Sequence, residues 1–439
     1  MTLLLSFPSS FLVLVSFSFS QLSPASVLVF GGVGFLLGTL SGLTPGLHVN
    51  TFALLLAGAV PAAVSRLGIE ISPELLGVAI VAAAVTHTFL DIVPSLVVGV
   101  PDDSMALAAL PGHRMVLDGR GHEALRLSAL GSLVAVGFGV VVSLPLTLGM
   151  VRLYPVLEDS MALVLGATAG FLLFTEGGIR RSLTAAFVLV SSGLLGYYVL
   201  NSGETSNLLM PLFTGLFGMP VVATSALSDS DIPEQDADAS PRIPRRRTLT
   251  SAASGSLAGG VVGWIPGISP ALATVFVQSF IPGSDPGMGG GESHDSSARE
   301  FIVAVSGVNS SNALFALLAL YFIDRPRSGA MVALSDVVTV SRDLTVVYIG
   351  VVVGVSAVAF GATVVLGRLV FRAAESVSYR LVTVCVAVLL VLLTVALTGI
   401  RGLPILVSAT AIGMVPNHSR VRRVHCMGSL LLPLVLFYV

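Results

Sequence analysis

Gly38-Thr39-Leu40-Ser41-Gly42-Leu43-Thr44-Pro45-Gly46 recurs as Gly259-Gly260-Val261-Val262-Gly263-Trp264-Ile265-Pro266-Gly267. Both stretches follow Gly-x3-Gly-x2-Pro-Gly inside otherwise apolar sequence, and the full pattern occurs nowhere else in the chain. Proline removes a backbone donor and glycine admits dihedrals that other residues avoid, so Pro-Gly within an apolar run interrupts a helix. One such interruption in each half predicts an internal duplication.

The surrounding composition fixes the class. The chain is 54 % hydrophobic and 10 % charged, against roughly 25 % charged in a soluble domain, and its mean hydropathy is +0.95. One soluble core cannot hide that much apolar surface, and the runs lack the period-two alternation of a membrane β-barrel. The fold class is an all-α polytopic membrane protein. It has two related halves, Pro-Gly broken or re-entrant helices, and about 10–12 crossings by segment length. Segments 25–43/47–65, 94–110, 250–265/267–281 and 328–340 are short for a span, and interrupted backbone at membrane depth survives only where protein or a watery cavity covers it.

The organisation reads as an apolar N-terminal segment (1–25), a first membrane repeat (26–227), a polar linker (228–248) and a second membrane repeat (249–439). The uncharged run Leu3 to Phe19 lacks the basic flank of a secretory signal; it is either an extra first helix or a start codon assigned too early. The linker carries Asp229, Asp231, Glu234, Asp236 and Asp238 before Arg242, Arg245, Arg246 and Arg247. Its composition reads as a disordered surface loop, and the Arg cluster favours the cytoplasmic side. All 22 basic residues are Arg, singly or in short clusters at segment ends, which leaves no nucleic-acid surface. Cys385 and Cys426 lack metal-site spacing and read as packing residues. The Gly-rich loop Pro282 to Ser297 lacks Gly-Lys-Ser/Thr and is not a nucleotide-binding loop.

The breaks and the intramembrane polar residues are where chemistry can sit. A broken helix frees N–H groups at its new N-terminus and C=O groups at its old C-terminus; the first end suits a carboxylate, the second a hard cation. Paired breaks in corresponding places of two halves point to a transporter's binding site. Pro45, Gly46, His48, Asn50 and Thr51 form the first substrate-binding set, and Pro266, Gly267 and Ser269 the second, with Trp264 and Thr274 nearby. The ion-coupling set is His87, Asp91, Asn309, Ser310, Ser311 and Asn312, because ionisable residues inside a membrane segment are costly and functional by default. Thr86, Thr88 and Ser306 accompany them. Pro101-Asp102-Asp103-Ser104 reads as a helix N-cap or as help for a coupling cation.

At these residues the chain resembles the large membrane subunit of the tripartite tricarboxylate transporters. That family has a Gly-x3-Gly-x2-Pro-Gly-type stretch in each half, an Asn-rich stretch matched at Asn309 to Asn312, and a loop matched from Ala109 to Leu125. In that loop Gly112, Gly119, Arg120, Glu123, Ala124 and Leu125 fall in register. Leu47-His48-Val49-Asn50, Pro111 and His122 depart from the bacterial pattern and look like an archaeal-type branch. The resemblance implies a permease of tri- or dicarboxylates in the cell membrane, multi-pass. It also implies a small membrane subunit and an extracytoplasmic binding protein as partners.

The reading is therefore a secondary active transporter of small organic anions, driven by a Na⁺ or H⁺ gradient and using no cofactor. The alternative is an intramembrane enzyme using His87 and Asp91, or Asp102 and Asp103, as acid and base. Duplication favours the transporter, since alternating access uses two related halves. If the first break binds an anion, Asn50→Ala weakens substrate affinity roughly 10- to 100-fold, since a hydrogen bond to a charged group contributes about 1.5–3 kcal/mol. Gly46→Val weakens it further, and Leu55→Ala leaves it unchanged. Concentration-dependent uptake into proteoliposomes measures all three, and wild-type affinity in Asn50→Ala would make the break a packing kink.

Overall fold

A computed structural model of the chain describes residues 22–44, 53, 56–57, 71–97, 109–202, 205–226, 233–265, 270, 273–274, 292–375, 379–419 and 421–439. In chain order the helices are α1 (Pro24–Leu43), α2 (Pro73–Leu90), α3 (Ile92–Val97), α4 (Ala109–Leu117), α5 (Gly121–Asp159), α6 (Met161–Phe174), α7 (Ile179–Leu200) and α8 (Thr205–Phe213). They continue as α9 (Met219–Ala226), α10 (Arg245–Val262), α11 (Glu292–Ile323), α12 (Gly329–Val337), α13 (Arg342–Glu375), α14 (Tyr379–Thr398), α15 (Gly402–Ser419) and α16 (Gly428–Tyr438). A π turn, Thr214–Gly218, joins α8 to α9, and a 3-10 turn, Arg423–Met427, leads into α16. Among the described residues there is no strand. Serine caps open several helices: Ser23 before Pro24, Ser72 before Pro73, and Ser328 before α12 each accept from a first-turn N–H.

Among the described residues, six helical stretches are long and apolar enough to cross a membrane: Pro24–Leu43, Pro73–Val97, Gly121–Asp159, Ile179–Leu200, Ser297–Ile323 and Arg342–Ala374. Four shorter apolar helices accompany them. Leu183, Phe187, Leu194 and Tyr198 form an exposed apolar stripe on α7, while Val188, Ser192 and Gly196 turn inward. Apolar side chains outside with Ser and Gly inside is the pattern of a helix whose solvent is lipid. The chain is an all-α polytopic membrane protein.

Two of the spans are treated differently from the rest. Pro73–Val97 is 100 % buried inside the protein and Ser297–Ile323 is 89 % buried, whereas the other four range from 28 to 44 %. Each buried span lies against a glycine-striped partner. On α1, a Cβ added at Gly34 or Gly38 would land on the carbonyl oxygen of Ala79 or Ala83 of α2, and one at Gly42 would meet Leu90. On α10, the same happens at Gly255 with Ala304, at Gly259 with Val308, and at Gly263 with Phe315. The repeat seen in the sequence therefore extends one turn back, to Gly34 and Gly255, and acts as a backbone-to-backbone contact.

The halves are interleaved. The third long helix of the first half, α5, packs along α11, and its second-half counterpart in chain order, α13, packs along α2. Gly131 of α5 lies against Val303, and Gly307 of α11 lies against Ala135. A second body gathers α6–α9 and α14–α16 around Leu165, Leu212, Phe217, Ala409, Cys426 and Leu431. Cys426 is buried there as a packing residue; Cys385, in contrast, is exposed on α14.

Part of the linker departs from the disordered loop expected of its composition. Gln235 accepts from the Gly121 N–H (2.8 Å) and donates to the Val116 carbonyl (2.9 Å). The Asp236 N–H donates to the Gly119 carbonyl (2.9 Å), and Arg126 donates to the carbonyls of Ala237 (3.0 Å) and Ala239 (2.5 Å). Just beyond, Glu123 accepts from Arg120 (2.8 Å), from Arg299 of α11 (2.7 Å) and from the Arg242 N–H (3.2 Å). One carboxylate, 2 % exposed, thus ties α5, α11 and the linker. Acidity and polarity predict solvation; long-range partners on α5 override it.

A second carboxylate fastens the C-terminal segment. Glu176, in the turn between α6 and α7, accepts from His425 (2.9 Å) and from the backbone and guanidinium of Arg422 (3.2 and 3.0 Å). Burial alone would raise its pKa, but those donors outweigh it and hold the carboxyl at about 2 rather than its ordinary 4.5.

Two outcomes follow in thermal unfolding of the purified protein. Gly38→Ala and Gly259→Ala each destabilise by about 1–3 kcal/mol through overpacking, whereas Gly32→Ala, with nothing within 4 Å, is neutral. The depressed pKa of Glu176 means its stabilisation is fully present above the ordinary value of 4.5 and is lost as pH falls toward about 2. Glu176→Gln therefore lowers stability near neutral pH by about 1.5–3 kcal/mol, the worth of a bond to a charged group, and its deficit relative to wild type shrinks over that acid window.

Candidate functional site

The polar residues of the two buried spans meet where α2 gives way to α3. The Asp91 N–H still donates to the His87 carbonyl (2.9 Å), but Pro94, in the following turn, has no N–H for the Leu90 carbonyl. Ser95 donates its hydroxyl to the Asp91 carbonyl (2.7 Å). The helical ladder is thus interrupted beside a buried carboxylate, 3 % exposed.

From α11, the Asn309 amide donates to Asp91 Oδ2 at 2.8 Å and approaches the Thr88 carbonyl at 3.5 Å. Thr88 donates to the Val85 carbonyl (2.8 Å) and reaches Ser310 Oγ at 3.4 Å. Asp91, Asn309, Ser310 and Thr88 therefore form one buried cluster across the two halves. One turn away on α11, Ser306 Oγ lies 2.8 Å from Ser128 Oγ of α5, and Ser132 donates to the Ser306 carbonyl (3.2 Å). Thr363 of α13 donates to the Phe89 carbonyl (3.2 Å). Carboxylate, amide and hydroxyl oxygens at this density are hard ligands of the kind alkali cations accept.

The remaining members of the ion-coupling set lie apart from that cluster. His87 Nδ1 is 3.0 Å from Ser41 Oγ of α1. Ser311 donates to the Gly307 carbonyl (2.7 Å) in its own helix and lies against Gly259 of α10. Asn312 is half-buried. Packing sets these residues in correspondence: Thr86 meets Gly38 as Ser311 meets Gly259, so His87 and Asn312 occupy matching steps of α2 and α11. Pro45, Gly46, His48, Asn50, Thr51, Pro266, Gly267 and Ser269, like Asp102 and Asp103, lie outside the described residues.

Sequence reading missed Ser41, Ser128, Ser132 and Thr363. Each is a small hydroxyl residue in an apolar helix, where it resembles ordinary packing. Ser128 and Ser132, one helical turn apart on a single face of α5, are the pair whose spacing could have drawn attention.

The model of a family described as "Tripartite tricarboxylate transporter TctA family" matches residues 28–428. An uncharacterized protein of Methanocaldococcus jannaschii is 33 % identical over 196 residues, which cover 43 % of this chain and 46 % of that protein. The chain thus aligns with about half the length of that relative. No solved structure matches the chain.

Proposed function

From the premise that this chain belongs to the tripartite tricarboxylate transporter TctA family, we propose that it is the permease of a cation-driven uptake system for di- or tricarboxylates. It works in the cell membrane with a small membrane subunit and an extracytoplasmic binding protein. The family is one of transporters, and the chain is a membrane transport component rather than an enzyme.

The observation that carries the ion-coupling part is the buried Asp91–Asn309 contact between α2 and α11 (2.8 Å). An isolated carboxylate in a low-dielectric interior is costly unless compensated. A monovalent cation beside Asp91 neutralises it, and Asn309, Ser310 and Thr88 supply further oxygens. A cation-loaded cluster is therefore electrically neutral and can change its exposure from one side to the other; an empty one carries a net charge across the apolar interior. The carboxylate substrate is assigned to the two Pro-Gly breaks, where freed amides favour anions. Neutral oxygens outnumber titrating groups in the cluster, which favours Na⁺ over H⁺.

The test is uptake of labelled citrate, succinate and malate into proteoliposomes with Na⁺ and pH gradients imposed separately. A Na⁺ gradient alone is expected to drive accumulation. Asp91→Asn is expected to reduce Na⁺-driven uptake at least tenfold, given about 1.5–3 kcal/mol for a bond to a charged group, while Ser143→Ala on α5 leaves it intact. Uptake that ignores Na⁺, follows the pH gradient and collapses in Asp91→Asn reassigns the coupling ion to H⁺. Uptake unaffected by Asp91→Asn removes Asp91 from coupling altogether.

A further inference from the structure

The turn from α6 into α7 reads Glu176-Gly177-Gly178-Ile179-Arg180-Arg181, so an apolar membrane helix begins on two adjacent cations. Glu176, the carboxylate nearest in sequence, is already engaged by Arg422 and His425. Among the described residues no hydrogen bond or ion pair holds the guanidinium of Arg180 or Arg181, and both residues are exposed. Arg181 Nη1 lies beside the turn, 3.7 Å from where a Cβ at Gly177 would stand. Gly178 takes φ +107, and no side chain caps the helix. The first N–H groups of α7 are therefore open to a ligand at its end.

Next to the arginines the surface carries an open groove of about 550 Å³, lined by Ile179, Arg180, Leu183, Thr184 and Phe187. That volume falls within the roughly 300–1,000 Å³ of small-molecule sites. Thr184 donates its hydroxyl to the Arg180 carbonyl (3.0 Å), so beyond the arginines the lining offers no free donor to a soluble polar ligand. Ile179, Leu183 and Phe187 are exposed, and Leu194 and Tyr198 continue the same apolar stripe along α7. The 22 residues of α7 span roughly 33 Å at 1.5 Å per residue, close to the ~30 Å thickness of a bilayer core. The stripe therefore lies at acyl depth, and the two arginines stand at the level of the headgroups.

We propose that this groove binds an anionic phospholipid, its phosphate held by Arg180, Arg181 and the uncapped first turn of α7, with an acyl chain laid along Leu183 and Phe187. Charge decides the headgroup class. Two unpaired cations beside a helix N-terminus attract a phosphate. A glycerol headgroup leaves that phosphate uncompensated, whereas a choline headgroup brings a cation of its own among the arginines. The apolar lining decides against a free anion, which would leave the groove beside its phosphate unfilled. Such a lipid braces the body formed by α6–α9 and α14–α16, because α7 packs on α16 at Gly193 and Gly196 and the adjoining Glu176 fastens the C-terminal segment.

The chain has a single tryptophan, so Phe187→Trp in a Trp264→Phe background places the one indole in the groove. The full chain in nanodiscs is exposed to brominated phosphatidylglycerol or brominated phosphatidylcholine, whose bromines quench an indole that they touch. Phosphatidylglycerol is expected to quench at about tenfold lower mole fraction, and the paired change Arg180→Gln and Arg181→Gln is expected to abolish that preference. Native mass spectrometry of the chain with its own tryptophan and phenylalanine gives a second readout that survives any folding defect of the indole variants. There phosphatidylglycerol stays bound to the wild type and is lost from the paired glutamine variant. Equal quenching by the two lipids, or a preference that survives the glutamines, makes the arginines signals of orientation only and overturns the inference. If glycerol 1-phosphate alone raises the melting temperature as much as phosphatidylglycerol does, the site takes a free anion and the lipid assignment falls. If quenching disappears as two chains are loaded per disc, a second copy covers the groove and the assignment falls as well.

Discussion

Contact between helix backbones at glycine is the constraint on which this architecture depends. Within lipid, apolar side chains gain little by leaving the bilayer for a neighbouring helix, so association rests on close packing and on polar contacts. Gly34, Gly38 and Gly42 let α1 approach the carbonyls and small side chains of α2; Gly255, Gly259 and Gly263 do the same for α10 and α11. With α1 and α13 against α2, and α10 and α5 against α11, the two central spans are withdrawn from lipid. Only helices so enclosed can carry Asp91, His87 and Asn309 without exposing them to hydrocarbon. The glycines thus make the polar layer permissible before any of its residues acts.

The two glycine-bearing helix pairs share a pattern of packing but differ in chemistry. Thr86 and Ser311 occupy matching contacts, as do Leu90 and Phe315, which aligns His87 with Asn312. Asp91 and Asn309, which bond to each other, do not align. Their bond is a cross-half contact between non-equivalent steps rather than a pair repeated by duplication. A repeated scaffold therefore holds a cluster with one carboxylate and several neutral oxygens.

The membrane class, the recurring Gly-x3-Gly-x2-Pro-Gly motif and the buried polar residues His87, Asp91, Asn309 and Ser310 were legible in the sequence, because each violates the local apolar composition or recurs at fixed spacing. Which of them meet was not legible. The contact between Asp91 and Asn309 joins residues in different halves, and nothing local to either one encodes the partner. The hydroxyls of Ser41, Ser128 and Ser132 escaped notice because serine in a membrane helix is as often a small packing residue as a hydrogen-bonding one. The linker misled for a related reason: its acidity is a local property, whereas its order comes from Gln235 docking on the first amide of α5 and from Arg126 reaching the Ala237 and Ala239 carbonyls.

The segment from Gly119 to Leu125, within the loop that resembles the family pattern, makes contacts distinct from the polar cluster. Gly119 takes φ +75, which side-chain-bearing residues rarely adopt, and a Cβ there would press on the Glu234 carbonyl at 3.2 Å. Its own carbonyl accepts from Asp236, Gly121 donates to Gln235, and Glu123 gathers Arg120, Arg299 and the Arg242 amide. Buried ion pairs contribute little net stability relative to apolar packing, yet they are strongly directional and costly to break by removing one partner. Their use here is to fix the register of α5 against α11 and the linker, so that Ser128 and Ser132 face Ser306. The loop that carries part of the resemblance thus joins the helices, α5 and α11, from which the polar layer is built.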